Sequence, residues 1–344
     1  MLTRRAVAIL SVALVTLAAC GGAGTPSASP GGTGGSPSAV TAVQPTRPIE
    51  FVISTAPGGG SDIYARFMQG VIEKQKLSPQ PVNPVNKEGG SGAVAFQYVY
   101  DKKGDMHYIM ITLNSFWTTL ITQNLPFKST DFTPIANLAN DPFFLWVNAD
   151  SPWKTVQDFI TAAKQKSIVV AGTGSKQEDE VLFRRIESTA GTMKFTYVPQ
   201  SGGGAVATAL AGHQGGVDAT VNNPSEGLGL FQASPAKLRP LCTFQPSSPT
   251  SGPYKDLATC KSQGLAIDDY YIVRSIMGPP GLSAAQQKFW ADVFKKVYDS
   301  QDWQDFCAKN ALECKFAAGD DFKKIVEDFE TLHRDIAKKN GWVQ

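Results

Sequence analysis

The sequence predicts an α/β protein with mainly parallel sheets that are flanked by helices. Short apolar strands alternate with amphipathic helices along the chain, and this alternation builds parallel sheets covered on both faces. Loops rich in Gly, Ser, Thr and Pro connect the strands to the helices. The composition, 42% hydrophobic and 18% charged, is that of a globular protein and excludes wholesale disorder. A length of 344 residues allows about two domains.

The charge of the chain argues against a nucleic-acid partner. There are 32 Lys and Arg against 30 Asp and Glu, a net charge of +2. Arg4 and Arg5 supply the excess, because the first 19 residues contain no acid. The chain from residue 20 onward is formally neutral, whereas nucleic-acid binding selects a strongly basic face.

The N-terminus has the pattern of a targeting segment. Arg4 and Arg5 precede an uncharged run from Ala6 to Ala19, as in a signal peptide over residues 1–19. The run is shorter than the ~20 residues that span a bilayer. It ends in Leu-Ala-Ala-Cys20-Gly, which resembles a bacterial lipoprotein box with Cys20 as the lipidated residue. The alternative is an ordinary secretory leader with a chance cysteine, and both predict export.

A flexible linker is expected between this anchor and the body, over residues 20–47. From Gly21 to Ala39 every residue is Gly, Ala, Ser, Thr or Pro, so this stretch cannot bury a core. We therefore expect a body tethered to the outer face of the cell membrane.

The body contains five units of strand, loop and helix start. In the first helix Ile63, Phe67 and Val71 lie on one face, with Ser61 as a natural N-cap. The predicted strands are Ile49–Ile53, Tyr108–Thr112, Ser167–Ala171, Phe195–Val198 and Val217–Val221. The loops after these strands start at Ser54, Leu113, Gly172, Pro199 and Asn222.

These loops are expected to meet at one edge of a sheet and to form an anion-binding pocket. Glycine lets a backbone approach a ligand closely, and each helix N-terminus carries a partial positive charge. Plain turn geometry is the alternative for each loop alone. The glycine loop at residues 58–62 lacks the Lys of a P-loop and the spacing of a dinucleotide fingerprint. Apart from Lys176 the loops lack cations, which favours a small carboxylate over a phosphate.

The cysteines fit an exported protein. Without Cys20 four remain, and none forms a C-x-x-C pair, so a metal site is not indicated. The local pairings Cys242–Cys260 and Cys307–Cys314 are expected, each stabilising by ~2–4 kcal/mol. Four free buried thiols are the alternative, which an oxidising compartment disfavours.

The sequence lends little support to catalysis, and we expect no enzyme and no cofactor. The three histidines, His107, His213 and His333, fall on different predicted elements. Ser61 and Ser175 have no evident base, and no G-x-S-x-G elbow occurs. The acids Glu178 to Glu180 are interpreted as helix-start or solvated charges.

Several motifs resemble the substrate-binding proteins of tripartite tricarboxylate transporters. The most specific is Ala-Pro-Gly-Gly-Gly-Ser-Asp-Ile-Tyr-Ala-Arg at residues 56–66. Asn-Lys-Glu-Gly-Gly-Ser-Gly at residues 86–92 is similar to the second signature of that family. Weaker matches occur in family order: Gly172–Ser175, Val198-Pro199 with Gly202–Gly204, and Ala211-Gly212-His213 leading to Val217-Asp218-Ala219.

The resemblance implies a two-lobed fold like that of type II periplasmic binding proteins, with a ligand cleft between the lobes. Lobe 1 would comprise residues 48–146 and 268–344, and lobe 2 residues 147–267. It also implies a small carboxylate ligand that is delivered to membrane permease subunits. A monomer is expected.

The resemblance also assigns residues to ligand binding. Gly59, Gly60, Ser61 and Asp62 would hold one carboxylate, and Thr173, Ser175, Gly203 and Gly204 would add hydroxyl and amide contacts. Asn223 is a further expected contact. With the remaining loop residues the candidate ligand-binding set is Pro57, Gly58, Gly59, Gly60, Ser61, Asp62, Asn114, Ser115, Thr173, Gly174, Ser175, Gly202, Gly203, Gly204 and Asn223.

Two departures from the family pattern leave the ligand open. Gln200 and Ser201 stand where many relatives have an aromatic residue and a Lys, and Glu178 to Glu180 stand where relatives often carry a His. A monocarboxylate or an aromatic acid is therefore as open as a di- or tricarboxylate. A secreted hydrolase and a sensory ectodomain of the same architecture are the alternative functions.

Overall fold

The fold is described from a computed structural model, which covers residues 43–267 and 270–344. The predicted signal peptide, the lipidation site Cys20 and most of the linker lie outside the described residues. Within the described ranges, every helix is too short or too polar to cross a bilayer.

The last three residues of the predicted linker, 45–47, contact the body. Pro45 is buried, and the backbone N–H of Thr46 donates to Nε2 of His107 at 3.0 Å. Arg47 pairs with Asp105 at 2.6 Å. The last residues of the predicted linker are therefore attached to the body, because they find partners on it.

Eleven strands and ten α-helices are defined in the described part of the chain. The strands are β1 Ile49–Ile53, β2 Val82–Asn86, β3 Tyr108–Thr112, β4 Thr133–Pro142, β5 Phe144–Asn148, β6 Val169–Thr173, β7 Thr196–Gln200, β8 Ala219–Asn222, β9 Leu238–Thr243, β10 Tyr271–Gly278 and β11 Glu313–Ala318. The helices are α1 Gly60–Lys74, α2 Ala93–Tyr100, α3 Ser115–Thr122, α4 Val156–Gln165, α5 Glu178–Ala190, α6 Gly203–Ala211, α7 Pro224–Phe231, α8 Ala284–Asp299, α9 Gln301–Lys309 and α10 Gly319–Lys339.

The strands form two sheets, which define the two lobes. The first has the order β11-β4-β10-β3-β1-β2 and the second β7-β6-β8-β5-β9. The two-lobed α/β fold is thus confirmed, but the sheets are mixed rather than mainly parallel. Every antiparallel pair of these strands involves β4, β5 or β10. These strands lie where the chain passes from one sheet to the other. They pair antiparallel to their neighbours because a parallel pair would require a helical crossover within the same sheet.

The first passage between the sheets takes place at Phe143, which separates β4 from β5. The expected position near residue 146 lies inside β5, which pairs only in the second sheet. The second passage falls between Thr243 and Tyr271. The expected position there, residue 268, lies outside the described residues.

Each sheet is covered by apolar side chains on both faces. In β1, Phe51 and Ile53 belong to one buried cluster and Val52 to another, as the alternation of a strand requires. In β5, Leu145 packs into one buried cluster and Trp146 into another, on the opposite face of the sheet. Both sheets are therefore central layers, and the carboxyl ends of their parallel strands point toward the helix starts.

Both predicted disulfides are present in the structure. Cys242 on β9 is bonded to Cys260, and both are buried. Cys307 on α9 is bonded to Cys314 on β11. Each bond closes a local loop, of 18 and 7 residues respectively.

Candidate functional site

A cavity of about 280 Å³ lies between the two lobes and is the candidate ligand site. Strand ends and loops of both sheets form its wall. The lining residues are Ser54, Thr55, Glu88, Gly89, Ser91, Gly92, Ser115, Thr173, Gly174, Gln177, Gln200 and Ser201. We call it the outer cavity.

The wall of the outer cavity is almost entirely neutral and polar. Among the described residues, Glu88 is the only charged one in this wall, and its side chain is exposed. Three buried polar atoms in the wall accept or donate no hydrogen bond within the described chain: Oγ of Ser54, Oγ1 of Thr55 and Oε1 of Gln177. Buried polar atoms normally have a partner, so these three point to a polar ligand.

A second, much smaller space of about 10 Å³ lies beside the outer cavity. The two share Thr55 and Thr173 as wall residues. We call it the inner cavity, and its size matches about one water molecule. Its lining residues are Thr55, Gly60, Ser61, Leu113, Thr173, Glu178, Asp179, Gly203, Asn223, Glu226, Ile272 and Arg274.

The first predicted loop makes its contacts with the protein itself. Gly59, not Ser61, is the N-cap of α1, and the N–H of Gly60 donates to Oε1 of Glu226 in lobe 2 at 2.6 Å. The hydroxyl of Ser61 accepts from Nη1 of Arg274 at 3.1 Å. The anion position at the start of α1 is therefore filled by a carboxylate of the protein.

Asp62 has a structural role in the same loop. Its carboxylate accepts from the N–H of Gly58 at 3.0 Å, from Nε of Arg66 at 2.8 Å and from Nδ2 of Asn86 at 3.0 Å. These bonds hold the loop that contains Pro57 and Gly58 against β2. Asp62 is not among the described residues that line either cavity.

The glycines of the first and fourth loops pack against each other across the lobes. A methyl group on Gly204 would lie 2.8 Å from the carbonyl oxygen of Gly58, and one on Gly202 would lie 3.9 Å from Gly59. On Gly203 it would overlap the carboxylate of Glu226. Here the absence of a side chain permits the close approach of the lobes.

Asn114 and Asn223 hold strands together. Nδ2 of Asn114 donates to the carbonyl of Tyr271 at 2.8 Å, and its Oδ1 accepts from the N–H of Val273 at 3.2 Å. Nδ2 of Asn223 donates to the carbonyl of Pro142 at 2.8 Å. Both side chains therefore fix the strands at the base of the cleft.

The third loop contributes directly to the outer cavity. Thr173 and Gly174 line it, and Gly174 adopts a φ of +58°, which favours glycine. The N–H of Gly174 donates to the carbonyl of Gln200 at 2.9 Å. Ser175 is exposed, and its N–H donates to Oγ of Ser91 in lobe 1 at 3.4 Å, so it bridges the lobes at the rim.

Arg274 is the residue that the sequence reasoning missed most clearly. It is 1% exposed, and its guanidinium contacts Asp141 at 2.6 Å, Ser61 at 3.1 Å and Asn223 at 3.1 Å. The prediction named no Arg because Arg274 lies within β10 and not in a loop. A single Arg in the otherwise apolar run Tyr-Tyr-Ile-Val-Arg was the available signal.

The three acids lie in the first turn of α5, as the helix-start interpretation predicted, but Glu178 and Asp179 are buried and therefore not solvated charges. Burial raises the pKa of the Glu178 carboxyl to about 7, because a charge is costly away from water. Burial also raises the pKa of Asp179, and the nearby charge of Glu178 raises it further. Burial raises the pKa of Glu226 to about 7, which the charge of Arg274 partly offsets.

Of the predicted ligand-binding residues, Ser115, Thr173 and Gly174 line the outer cavity, and Thr173 also lines the inner one. Gly60, Ser61, Gly203 and Asn223 line the inner cavity alone. The outer wall also contains Ser54, Thr55, Gln177, Gln200, Ser201 and residues of the second signature, none of which was in the predicted set. The second signature itself was the signal for Glu88 to Gly92.

This geometry defines a class of protein. Two mixed α/β lobes, joined by two strand passages and enclosing a polar cavity, form a solute-binding protein of the periplasmic type. The family model for the receptor of the tripartite tricarboxylate transporter family matches residues 65–342. The chain belongs to this family, as the sequence resemblance predicted.

Related proteins agree with this assignment. A Cupriavidus necator protein described as "UPF0065 protein in gbd 5'region" is 26% identical over 303 residues, covering 86% of this chain and 88% of that protein. A TctC solute-binding protein from Polaromonas, solved without ligand, is 25% identical with a TM-score of 0.63 and covers 86% of this chain and 100% of its own. A protein of R. palustris solved with adipate is 22% identical with a TM-score of 0.77, covering 86% and 98% respectively.

Membership of a receptor family confirms that the chain is a receptor and not an enzyme. The secreted-hydrolase alternative is therefore excluded. In the described residues no group of three or more His, Cys, Asp and Glu side chains is placed to hold a metal ion.

Proposed function

We propose that this chain is an exported, lipid-anchored receptor that captures a small carboxylate in the outer cavity and delivers it to the permease subunits of a tripartite tricarboxylate transporter. The proposal is supported first by family membership. Adipate is bound by one structural neighbour and malate by another. The anchor is proposed from the lipoprotein box at Cys20.

The unpartnered polar atoms of the outer cavity are the observation that carries the proposal. Ser54 and Thr55 are buried and present hydroxyl groups without partners in the described chain. Neutral hydroxyls and amides can hold a carboxylate through charge-assisted hydrogen bonds. A volume of about 280 Å³ lies at the lower end of the range for small-molecule pockets.

Native mass spectrometry of freshly purified full-length protein should reveal a co-purified organic acid on a monomer. Thermal shift with a broad panel of organic acids then measures binding, since a ligand of the native state raises the melting temperature by mass action. A panel that leaves the melting temperature of ligand-stripped protein unchanged contradicts the proposal.

Thr55→Val tests the role of the unpartnered hydroxyls. The change keeps the shape of the side chain and removes one hydrogen bond to a charged group, worth about 1.5–3 kcal/mol, so we expect about 10- to 100-fold weaker binding of the acid found in the panel. Isothermal titration calorimetry measures the affinity.

Thr220→Val is the matched control for this variant. The hydroxyl of Thr220 on β8 is also buried without a partner among the described residues, but it lines neither cavity. Its removal should leave the affinity unchanged. Equal affinities of the wild type and Thr55→Val would show that the ligand binds elsewhere.

A further inference from the structure

Glu178 presents an unpartnered carboxylate at the inner end of the cleft. It is the first residue of α5 and is 1% exposed. Neither carboxylate oxygen has a hydrogen-bond partner among the described residues. Burial raises the pKa of the Glu178 carboxyl, and the nearby backbone N–H groups of Glu178 and Ser115 offset this rise only in part. A buried carboxylate in this state is costly, and a donor from a ligand would relieve that cost.

The position of Glu178 brings it within reach of the outer cavity. It lines the inner cavity, whose wall residues Thr55 and Thr173 also belong to the outer one. Gln177, its neighbour in sequence, lines the outer cavity and has an unpartnered Oε1 of its own. Two buried acceptors without a donor in the described chain therefore belong to adjacent residues, Gln177 and Glu178, at the start of α5.

Two backbone amides beside the inner cavity are already occupied by carboxylates of the protein. Glu226 accepts from the N–H of Gly60 at the start of α1, and Asp179 accepts from the N–H of Thr173. The first N–H group of α1 is thus taken by a side chain of the protein and is not offered to a second ligand carboxylate.

Acidic side chains outnumber cations at this end of the cleft. Glu178, Asp179 and Glu226 line the inner cavity, with Arg274 as the one cation that the described residues contribute to its wall. Arg274 is itself paired with Asp141. Burial already raises the pKa values of these acids, and the charge of a second ligand carboxylate would be unfavourable beside any of them that is ionised.

We propose, on the basis of the receptor function above, that the ligand is an organic acid with a single carboxylate whose other end turns a hydroxyl or ammonium donor toward Glu178 and Gln177. The carboxylate is held by the neutral groups of the outer cavity. This ligand class differs from the dicarboxylates adipate and malate that the structural neighbours bind.

A matched series of acids tests the inference. The series consists of linear carboxylic acids with three, four or five carbons. At each length, the group at the end opposite the carboxylate is a methyl, a hydroxyl, an ammonium or a second carboxylate. Calorimetry on the ligand-stripped wild type should give at least about tenfold tighter binding for the hydroxyl or ammonium member than for its methyl and dicarboxylate partners, because a site built to bond a donor rejects analogues that lack it.

Glu178→Gln should remove this preference. At pH 8, above the pKa of about 7, the change replaces a mainly ionised acceptor by an amide that also donates, so we expect the ratio between the ammonium and dicarboxylate members to fall at least about tenfold. Glu180→Gln is the control: it removes the same charge two residues further along α5, where the carboxylate is bonded to Lys176 and Arg184, and it should keep the wild-type preference.

The outcomes separate this inference from the receptor proposal. If dicarboxylates or methyl-ended acids bind best and Glu178→Gln changes nothing, the inference is wrong and the receptor function stands. The same holds if no member of the series binds but another acid of the broad panel does. If nothing in either collection binds, both proposals fail. The wild-type series alone decides the question should Glu178→Gln not fold.

Discussion

At the scale of single residues, Arg274 dominates the base of the cleft. It joins Asp141 of β4, Ser61 of α1 and Asn223 of lobe 2, and its guanidinium lies 4.7 Å from the ring centre of Tyr64. The hydroxyl of Tyr64 donates to Asp141 at 2.9 Å. One buried cation thus organises groups from three elements, which neutral loop amides alone could not hold.

Arg274→Met should destabilise the protein strongly. The change leaves the fully buried Asp141 without its cation, and breaking a buried pair from one side costs about 3–5 kcal/mol. Urea unfolding measures the loss, and adding Asp141→Asn should restore part of it because the uncompensated charge is then removed.

Lys288→Ala is the control for Arg274→Met. It breaks the exposed pair between Lys288 and Asp292, and exposed pairs contribute little, so the urea midpoint should hardly move. A small effect of both substitutions would contradict the organising role of Arg274.

At the scale of elements, the loop before α1 in lobe 1 packs against the loop before α6 in lobe 2. Gly58 and Gly59 of the first meet Gly202 and Gly204 of the second. The sequence predicted that both loops bind a ligand. In the structure the residues through which the two loops meet are glycines, which have no side chain. Contact between them sets how closely the lobes approach.

Gly204→Ala should hinder closure of the lobes. Its methyl group would lie 2.8 Å from the backbone carbonyl of Gly58, which cannot move without displacing the loop. Gly204 is the second residue of α6, where Ala is compatible with a helix, so folding should not suffer. We expect a larger radius of gyration in small-angle X-ray scattering and weaker ligand binding.

Gly229→Ala in α7 provides the comparison, because a methyl group there would meet no atom of the described residues within 4 Å. It should retain the radius of gyration and the affinity of the wild type. Wild-type scattering from Gly204→Ala, in the presence of the ligand, would show that the glycine contact does not limit closure.

At the scale of the whole molecule, the buried acids of the cleft link stability to pH. The pKa of Glu178 is about 7 in the folded protein, because of burial, and about 4.5 in the unfolded chain. The folded state therefore binds more protons between these values, and stability decreases as pH rises through this window. Glu226 acts in the same direction.

His333 acts in the opposite direction. Burial lowers the pKa of His333 to about 4, whereas in the unfolded chain it is about 6.5. As the pH falls below about 6.5 the unfolded chain therefore takes up a proton first, and His333 makes the folded protein less stable toward acid. The overall pH profile therefore mixes both contributions, and a variant is needed to isolate the carboxylates of the cleft.

Glu178→Gln should isolate the contribution of one carboxylate. Urea unfolding at pH 5.5 and 8 should show that the stability of the variant relative to the wild type rises between these values by on the order of 2 kcal/mol. His333 is common to both proteins and cancels. A difference that is independent of pH would show that Glu178 titrates normally and is not desolvated.

Local patterns in the amino-acid sequence were enough to predict most of the secondary structure around the cleft. β1 and β3 were predicted at their observed bounds, and β6, β7 and β8 start one or two residues later than expected, because the apolar alternation of a strand is a property of adjacent residues. The family motifs, the disulfide partners and the receptor class were readable for the same reason: they depend on short spacings along the chain.

The contents of the cleft, in contrast, became visible only in three dimensions. Glu226 reaches Gly60 across 166 positions of sequence, and Arg274 reaches Ser61 across 213, separations that no local pattern encodes. The same packing buries Glu178 without a partner in the described chain and presses the glycine loops together. Whether a charged side chain is solvated or buried in a cleft depends on which lobe folds over it, and that is fixed by the closure of the two lobes and not by the residues next to it.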